Sequence, residues 1–286
     1  MPASSCEFDL PDLQPLVSVV VPVYNGRTFV RETMESVRRQ TYGNWELLVC
    51  DNHSSDDTRA WVRQDLENAP DPRIRLVEDE VLLPMAENWN RALGYARGPL
   101  LKLLPADDLL LPECLETQVR LLRENRDVGF VTSGKDIIDA SGRKLFSRQP
   151  LRGGRYSWEE IGRRSLYAVA NNLGEPGGVL FRRELLDLCG GYKPGLNYFV
   201  DIELLWRFLR QADAMVCGRP LYQFRIHGAS TSAASRRKAV LEYFEMLDTV
   251  DVGTRLSSRP WLKWYLQAKA HLVAHGRALI FRALCR

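Results

Sequence analysis

The chain is short of most features that would place it quickly. Its six cysteines, Cys6, Cys50, Cys114, Cys189, Cys217 and Cys285, form no CxxC pair. That excludes a zinc ribbon and argues against a disulfide frame, and scattered thiols of this kind suit a reducing, cytoplasmic setting. No apolar run is long enough to cross a bilayer. The opening Met-Pro-Ala-Ser-Ser-Cys-Glu-Phe-Asp lacks the basic and apolar stretches of a signal peptide. There is no GxGxxG after the first strand-like run and no Walker A lysine motif. A dinucleotide-dependent dehydrogenase and a P-loop ATPase are therefore disfavoured. Internal repeats and low-complexity tracts are missing too. From Arg255 to Arg286 the chain has no acidic residue but seven Lys or Arg.

That last gap exposes an asymmetry. The net charge of +3 divides into a basic tail and a body, residues 1–254, at about −4. With 286 residues, 45% hydrophobic and 26% charged, the chain can build one large soluble domain with an appendage. We expect a leader over 1–15, an α/β domain over 16–232 and a helical extension over 233–286.

Within the central part, strand and helix signals alternate. Val17–Pro22 is β-branched and strand-like. Thr28–Gln40 places Phe29, Val30, Thr33, Met34 and Val37 on one helical face. Trp45–Cys50 is a second strand, and Ser55-Asp56-Asp57 offers an N-cap for a helix through Leu66. Arg73–Val77 reads as a third strand. A third helix carries Trp89, Ala92, Leu93 and Ala96 and stops at Gly98-Pro99. A fourth strand, Leu100–Leu104, ends in the adjacent acids Asp107 and Asp108, and Pro112 suits the first turn of the next helix. This order predicts a mostly parallel, Rossmann-like sheet with helices on both faces and a binding crevice at the strand ends.

Beyond Leu122 the pattern changes. We expect strands at Val128–Thr132, Val179–Phe181 and Leu221–Ile226, helices at Arg183–Cys189 and Asp201–Gln211, a turn at Asp139–Gly142 and a capping box at Ser157–Glu160.

Polar residues gather at the predicted strand ends: Tyr24-Asn25-Gly26, Asp51-Asn52-His53 and Asp107-Asp108. Asp is also a common turn and N-cap residue, so each cluster alone has a purely structural reading. Carboxylates beside a diphosphate need a divalent cation between them, because like charges repel. Oxygen ligands suit Mg²⁺ or Mn²⁺, and an imidazole ligand tilts the choice towards Mn²⁺.

Six segments in order carry a resemblance: Pro22-Val-Tyr-Asn25, Asp51–Thr58, Asn88-Trp-Asn-Arg-Ala-Leu93, Leu104-Pro-Ala-Asp-Asp108, Phe199–Arg207 and Phe224–Ser232. Together they resemble the ordered motifs of family 2 glycosyltransferases, which have the GT-A fold. The resemblance implies an inverting transfer from a nucleotide sugar, most simply a UDP-sugar, to a hydroxyl of a glycan or lipid-linked acceptor. Surface polysaccharide or O-antigen assembly is the implied setting, and nucleic acid is not an implied partner. Pro22, Tyr24, Asn25, Asp51, Asn90 and Asp107 would hold the donor, with Asp51 on the uracil ring. Asp107, Asp108 and His227 would form the metal site for Mn²⁺ or Mg²⁺. Asp201 would be the general base, although the start of a helix also suits a plain N-cap. Glu175 lies in the Gly174–Gly178 loop, where such enzymes meet the acceptor. Glu203 would touch the acceptor or face solvent. Two departures stand out. Pro105 occupies the first position of the usual Asp-X-Asp, removing one potential ligand, and Trp89 stands where many relatives have Arg. Pro105 also motivates the competing reading, a catalytically silent protein of this fold that binds a sugar nucleotide or a partner.

The tail forms a candidate amphipathic helix. Leu262, Tyr265, Leu266, Leu272, Val273, Leu279, Ile280 and Leu284 share one face, with basic residues mainly opposite. Such a helix can rest on an anionic membrane. It can equally pack on the domain or on a second subunit. The expected location is the cytoplasm, with peripheral contact at the inner face of the membrane.

Overall fold

The structure is a computed structural model, and it describes residues 8, 13–162, 165, 171–228, 241–243, 264–266, 268–270 and 272. Strand β1 (Val17–Val23) leads to α1 (Val30–Arg38), β2 (Trp45–Asp51) to α2 (Thr58–Asn68), and β3 (Ile74–Glu78) to α3 (Met85–Gly94). Next come β4 (Leu100–Leu103), β5 (Leu109–Leu110), α4 (Cys114–Glu124), β6 (Val128–Ile138), β7 (Lys144–Arg148) and β8 (Gly154–Tyr156). Finally β9 (Leu180–Arg182), α5 (Arg183–Cys189), α6 (Val200–Gln211) and β10 (Asp213–Arg225) complete the described fold.

The sheet runs β3-β2-β1-β4-β9-β6-β10-β5, with β7 on β6 and β8 on β10. The pairs β3/β2, β2/β1, β1/β4 and β6/β10 are parallel, while β9 and β5 run antiparallel to their neighbours. This is the expected mostly parallel sheet. Every residue of β1 and β2 is buried. Their side chains alternate between two cores. Val19, Val21, Leu47 and Val49 pack with Val30, Met34, Val62 and Leu115 of α1, α2 and α4. Val20, Leu48 and Leu103 pack with Ala92, Leu185, Leu205 and Phe208 of α3, α5 and α6. Burial on both faces is why these strands read as continuous apolar runs. Each fully buried Val or Leu contributes about 1.5–3 kcal/mol.

One buried polar contact closes the turn from α3 into β4. Ser18 Oγ donates to Glu46 Oε1 at 2.6 Å and accepts the Gly98 N–H at 2.8 Å. A Cβ on Gly98 would stand 2.4 Å from the Leu16 carbonyl oxygen, so only glycine fits this approach.

Some boundaries differ from expectation. The second helix starts at Thr58, directly after Asp57 of the expected cap, and runs two residues past Leu66 to Asn68. The Ser55 N–H donates to Asn25 Oδ1 at 2.8 Å, and Asp56 Oδ1 accepts the Thr58 N–H at 3.0 Å. Likewise β10 begins at Asp213, well before Leu221. Gly218 and Pro220 interrupt its sequence pattern, and the structure absorbs them as irregularities in the β6 register. One half of the expected capping box is present: Glu160 Oε2 accepts the Ser157 N–H at 2.9 Å.

The expected leader and tail helix lie mostly outside the described residues. What is described of the extension partly faces the domain. Tyr243, Leu266 and Ala270 are buried in the α6-side core, whereas Trp264, Tyr265 and Leu272 are exposed. No described helix is long and apolar enough to cross a membrane.

Candidate active site

The first part of the site is built at the ends of β1 and β2. Pro22 is buried within β1, opposite Cys50 of β2. Asn25 (φ 51) and His53 (φ 59) both adopt the left-handed conformation that Asn and His tolerate better than most residues. Asn25 N–H donates to Ser54 Oγ at 2.9 Å, so the two loops brace each other. Tyr24 stands half exposed beside them. At the end of β2, Asp51 is completely buried. Its Oδ2 accepts the Ser54 N–H at 3.0 Å and pairs with Arg59 Nε. Its Oδ1 is buried with no partner. An unmatched carboxylate oxygen of this kind is costly unless a ligand supplies a donor.

The second part is the acid turn after β4. Asp107 Oδ2 lies 3.0 Å from His227 Nε2, and the His227 ring packs on Phe29 with centroids 4.8 Å apart. Asp108 turns inward and is buried. Its Oδ1 accepts the Arg225 N–H at 3.1 Å, and its Oδ2 has no partner. Burial, and then the neighbouring charge of Asp107, hold its carboxyl well above the usual range. Pro105 contributes through its backbone, its carbonyl accepting the Asp108 N–H at 3.1 Å.

Arg225 organises this turn. Its guanidinium is buried, donates to the Asp107 carbonyl at 3.0 Å and the Ala140 carbonyl at 3.1 Å, and pairs with Glu32 at 2.6 Å. It also covers the face of Phe29 at 4.6 Å. One side chain thus joins α1, the acid turn, the β6–β7 turn and β10.

The third part lies around the start of α6. Asp201 Oδ1 accepts the Ile202 N–H at 2.8 Å, and Oδ2 accepts from Asn171 Nδ2 at 3.2 Å. It borders a small cavity with Leu103, Pro176, Phe181, Tyr192 and Leu205. Burial among these groups, and then the charge of Glu175, push its carboxyl up to about 7. Glu175 itself sits below its usual value. Burial opposes its charge, but ion pairing with Lys135 and the 2.8 Å hydrogen bond from Tyr222 outweigh that.

Asn90 and Glu203 act within the framework around this centre. Asn90 Oδ1 accepts the Tyr192 N–H at 2.6 Å and its Nδ2 donates to the Tyr192 carbonyl at 2.7 Å. Its contact with the site therefore runs through the loop it clasps. Glu203 is neither solvated nor turned to the crevice, because Arg207 holds it at 2.8 Å in the buried side of α6. Arg59, Lys135, Tyr222 and Arg225 were not singled out from the sequence as site residues. Lys135 lies inside a strand that is buried throughout, but the surrounding Thr132-Ser-Gly-Lys-Asp136 carries no strand signal, so its burial was not legible.

Two donors, Asp107 and His227, stand together where a metal would be needed, and Asp108 adds a buried, unmatched oxygen beside them. Among the described residues no group of three or more His, Cys, Asp or Glu side chains is arranged to hold a metal alone. The residues fit a divalent cation that takes its remaining ligands from phosphate oxygens and water, as Mg²⁺ and Mn²⁺ do.

Sheet order, acid turn and strand-end crevice define a protein of the GT-A fold. Residues 18–188 match the family described as Glycosyl transferase family 2, and the chain belongs to that family. The Escherichia coli UDP-Glc:alpha-D-GlcNAc-diphosphoundecaprenol beta-1,3-glucosyltransferase WfgD is 38% identical over 124 residues, 43% of this chain and 47% of WfgD. The chain thus spans less than half of that relative, and only 24% of a Sinorhizobium fredii one. Two solved structures share the fold. Staphylococcus aureus TarS 1-349 in complex with UDP-GlcNAc superposes with a TM-score of 0.64 at 17% identity, over 85% of this chain and 75% of that one. The Pyrobaculum calidifontis mannosyltransferase PcManGT, with GDP-Man and Mn²⁺, superposes with a TM-score of 0.63 at 21% identity, over 99% and 86%.

Proposed function

We propose that this glycosyltransferase moves a hexosyl group, with inversion, from a UDP-sugar to a hydroxyl of a glycan or lipid-linked acceptor in surface polysaccharide assembly. The observation that carries the reading is Asp201, which borders a small cavity at the start of α6 with Pro176 and Tyr192 and whose carboxyl is raised to about 7 by burial and the charge of Glu175. A general base works best with a pKa near the working pH.

Asp51, through its unmatched Oδ1, would accept a hydrogen bond from the base of the donor. Pro22, Tyr24 and Asn25 would shape the same pocket. Asp107 and His227, with Asp108 beside them, would hold Mn²⁺ or Mg²⁺, whose charge would stabilise the departing diphosphate. Asp201 would take the proton of the acceptor hydroxyl as its oxygen attacks the anomeric carbon. The new bond joins that carbon to the acceptor oxygen, and the bond to the diphosphate oxygen breaks. The UDP preference draws on WfgD, a UDP-Glc glucosyltransferase, and on TarS, which binds UDP-GlcNAc, and the lipid-linked acceptor on the diphosphoundecaprenol acceptor of WfgD. The place of action would be the cytoplasmic face of the membrane.

Calorimetric titration of UDP, GDP and dTDP, with and without Mn²⁺, on wild type and Asp107→Ala tests the donor half. Tight UDP binding that needs both Mn²⁺ and Asp107 is expected. No nucleotide binding under any condition would sink the reading. Binding without donor hydrolysis or transfer to any acceptor would favour a silent sugar-nucleotide binder.

A further inference from the structure

The loop that delivers Asp201 is held at both ends. At its start, Arg207 donates to the carbonyls of Cys189 at 2.6 Å and Gly191 at 2.6 Å, and Asn90 clasps Tyr192. At its end, immediately before α6, the partner comes from a distant part of the chain. Glu242 is buried at 6% exposure. Its Oε2 accepts the N–H of Asn197 at 2.9 Å and of Tyr198 at 2.6 Å, and its Oε1 accepts from Asn197 Nδ2 at 3.4 Å. The next residue, Tyr243, is buried and packs on Phe199 with ring centroids 5.5 Å apart. Phe199 is the N-cap of α6, two residues before Asp201.

The chemistry of this contact is specific. A carboxylate that accepts two successive backbone N–H groups forms charge-assisted hydrogen bonds, roughly twice as strong as neutral ones. Here they fall on Asn197 and Tyr198, in the segment that leads into α6 and whose Gly195 has φ +89. Without the carboxylate, the two N–H groups would turn to water and the entry into α6 would have one anchor instead of two. Residues 241–243 also lie beyond the 18–188 match to the family, so this latch is a feature of the chain's C-terminal part.

We infer that Glu242 is a positioning residue for Asp201, tying the C-terminal segment to the loop that aims the base. The inference rests on the transferase reading above, because it needs Asp201 to act on the acceptor. Glu242 touches neither the Asp51 pocket nor the Asp107–His227 pair in any contact described, so donor binding should not depend on it.

The full-length chain is compared as wild type, Glu242→Ala, Glu242→Gln and Asp201→Asn, with three readouts. These are UDP affinity by calorimetry, turnover of a UDP-sugar with and without acceptor, and amide hydrogen exchange at residues 195–199. The expected result for Glu242→Ala is UDP affinity within twofold of wild type, a kcat lowered at least tenfold, and exchange faster by tenfold or more at Asn197 and Tyr198. Glu242→Gln keeps one acceptor oxygen and should recover part of the kcat and part of the protection. Full kcat in Glu242→Ala together with faster exchange would overturn the inference, since the latch would then be open without consequence. Unchanged exchange in Glu242→Ala would overturn it too. If wild type and Asp201→Asn are equally inert on every donor, the transferase reading fails, and the exchange data separately show whether the latch exists. Loss of UDP affinity in both Glu242 variants would mean general unfolding and would also refute a positioning role.

Discussion

Asp201→Asn should abolish transfer and should gain stability relative to wild type as the pH is raised. The carboxyl has a folded-state pKa of about 7 against an ordinary 3.8. Between those values the folded state keeps a proton that the unfolded state has released. Stability therefore falls as pH rises through this window and levels off above about 7. Each pH unit of separation is worth about 1.4 kcal/mol, so the gap sets an upper bound of roughly 4 kcal/mol. Asp201 is not fully enclosed, and solvent screening reduces this to about 1–2 kcal/mol. The substitution removes that cost. It also loses one acceptor, because Asn171 Oδ1 already accepts the Leu173 and Gly174 N–H groups and its amide cannot turn round. That loss is about 1 kcal/mol at every pH. The telling quantity is thus the change with pH. Thermal unfolding of wild type and variant at pH 4.5 and pH 8 should show the variant gaining about 2–8 °C relative to wild type at the higher pH. A difference between the two proteins that is the same at both pH values would refute the desolvated carboxyl, and with it the poised base.

The wild-type transfer rate at saturating donor should rise about tenfold from pH 6 to pH 8 as the Asp201 carboxylate forms; a flat profile would exclude it as the base. Asp51→Ala should weaken UDP binding by about ten- to a hundredfold, the worth of a hydrogen bond to a charged group, measured by calorimetry. Equal affinity in the variant would place the base elsewhere. Arg225→Leu should cost about 3 kcal/mol of stability, because it strands the carbonyls of Asp107 and Ala140, the half-exposed Glu32 turning to water at little cost. It should also weaken metal-dependent nucleotide binding by loosening the acid turn. A denaturant midpoint equal to that of wild type would show that Arg225 is dispensable there.

Much of the first half of the fold was readable because its physics is local. Val17–Val23 and Trp45–Asp51 are buried on both faces, so an unbroken apolar run meant a strand. Val30, Met34 and Val37 returned at helical spacing because α1 buries one side only. In the second half the helices at Arg183–Cys189 and Val200–Gln211 and a strand close to Leu180–Arg182 were legible too, whereas β7, β8 and the full spans of β6 and β10 were not, because their order is set by pairing between distant segments. The span of β10 was hidden by Gly218 and Pro220, which carry no strand signal but are tolerated where the register shifts.

The candidate site divides in the same way. Asp51, Asp107 and Asp201 stood out because a carboxylate at the end of a strand or the start of a helix is a local signal. Asp51 has local partners in Ser54 and Arg59, but the rest of the surroundings come from far away: Lys135 reaches Glu175, Arg225 reaches Asp107, and Glu242 reaches Tyr198. Those pairings bear on the effect of Pro105. Lys135 is committed to Glu175, Arg225 to Glu32 and two carbonyls, and Arg207 to Glu203. The cations nearest the acids are thus already neutralised, Lys135 by Glu175 itself, while Asp107 and Asp201 share the crevice with Asp108, whose carboxyl is held towards its neutral form by burial. A diphosphate entering it brings more negative charge, and charge repulsion in a partly desolvated site is strong. Losing one acid at position 105 lightens that burden without freeing any of these three cations, so a diphosphate donor would still need to bring its own.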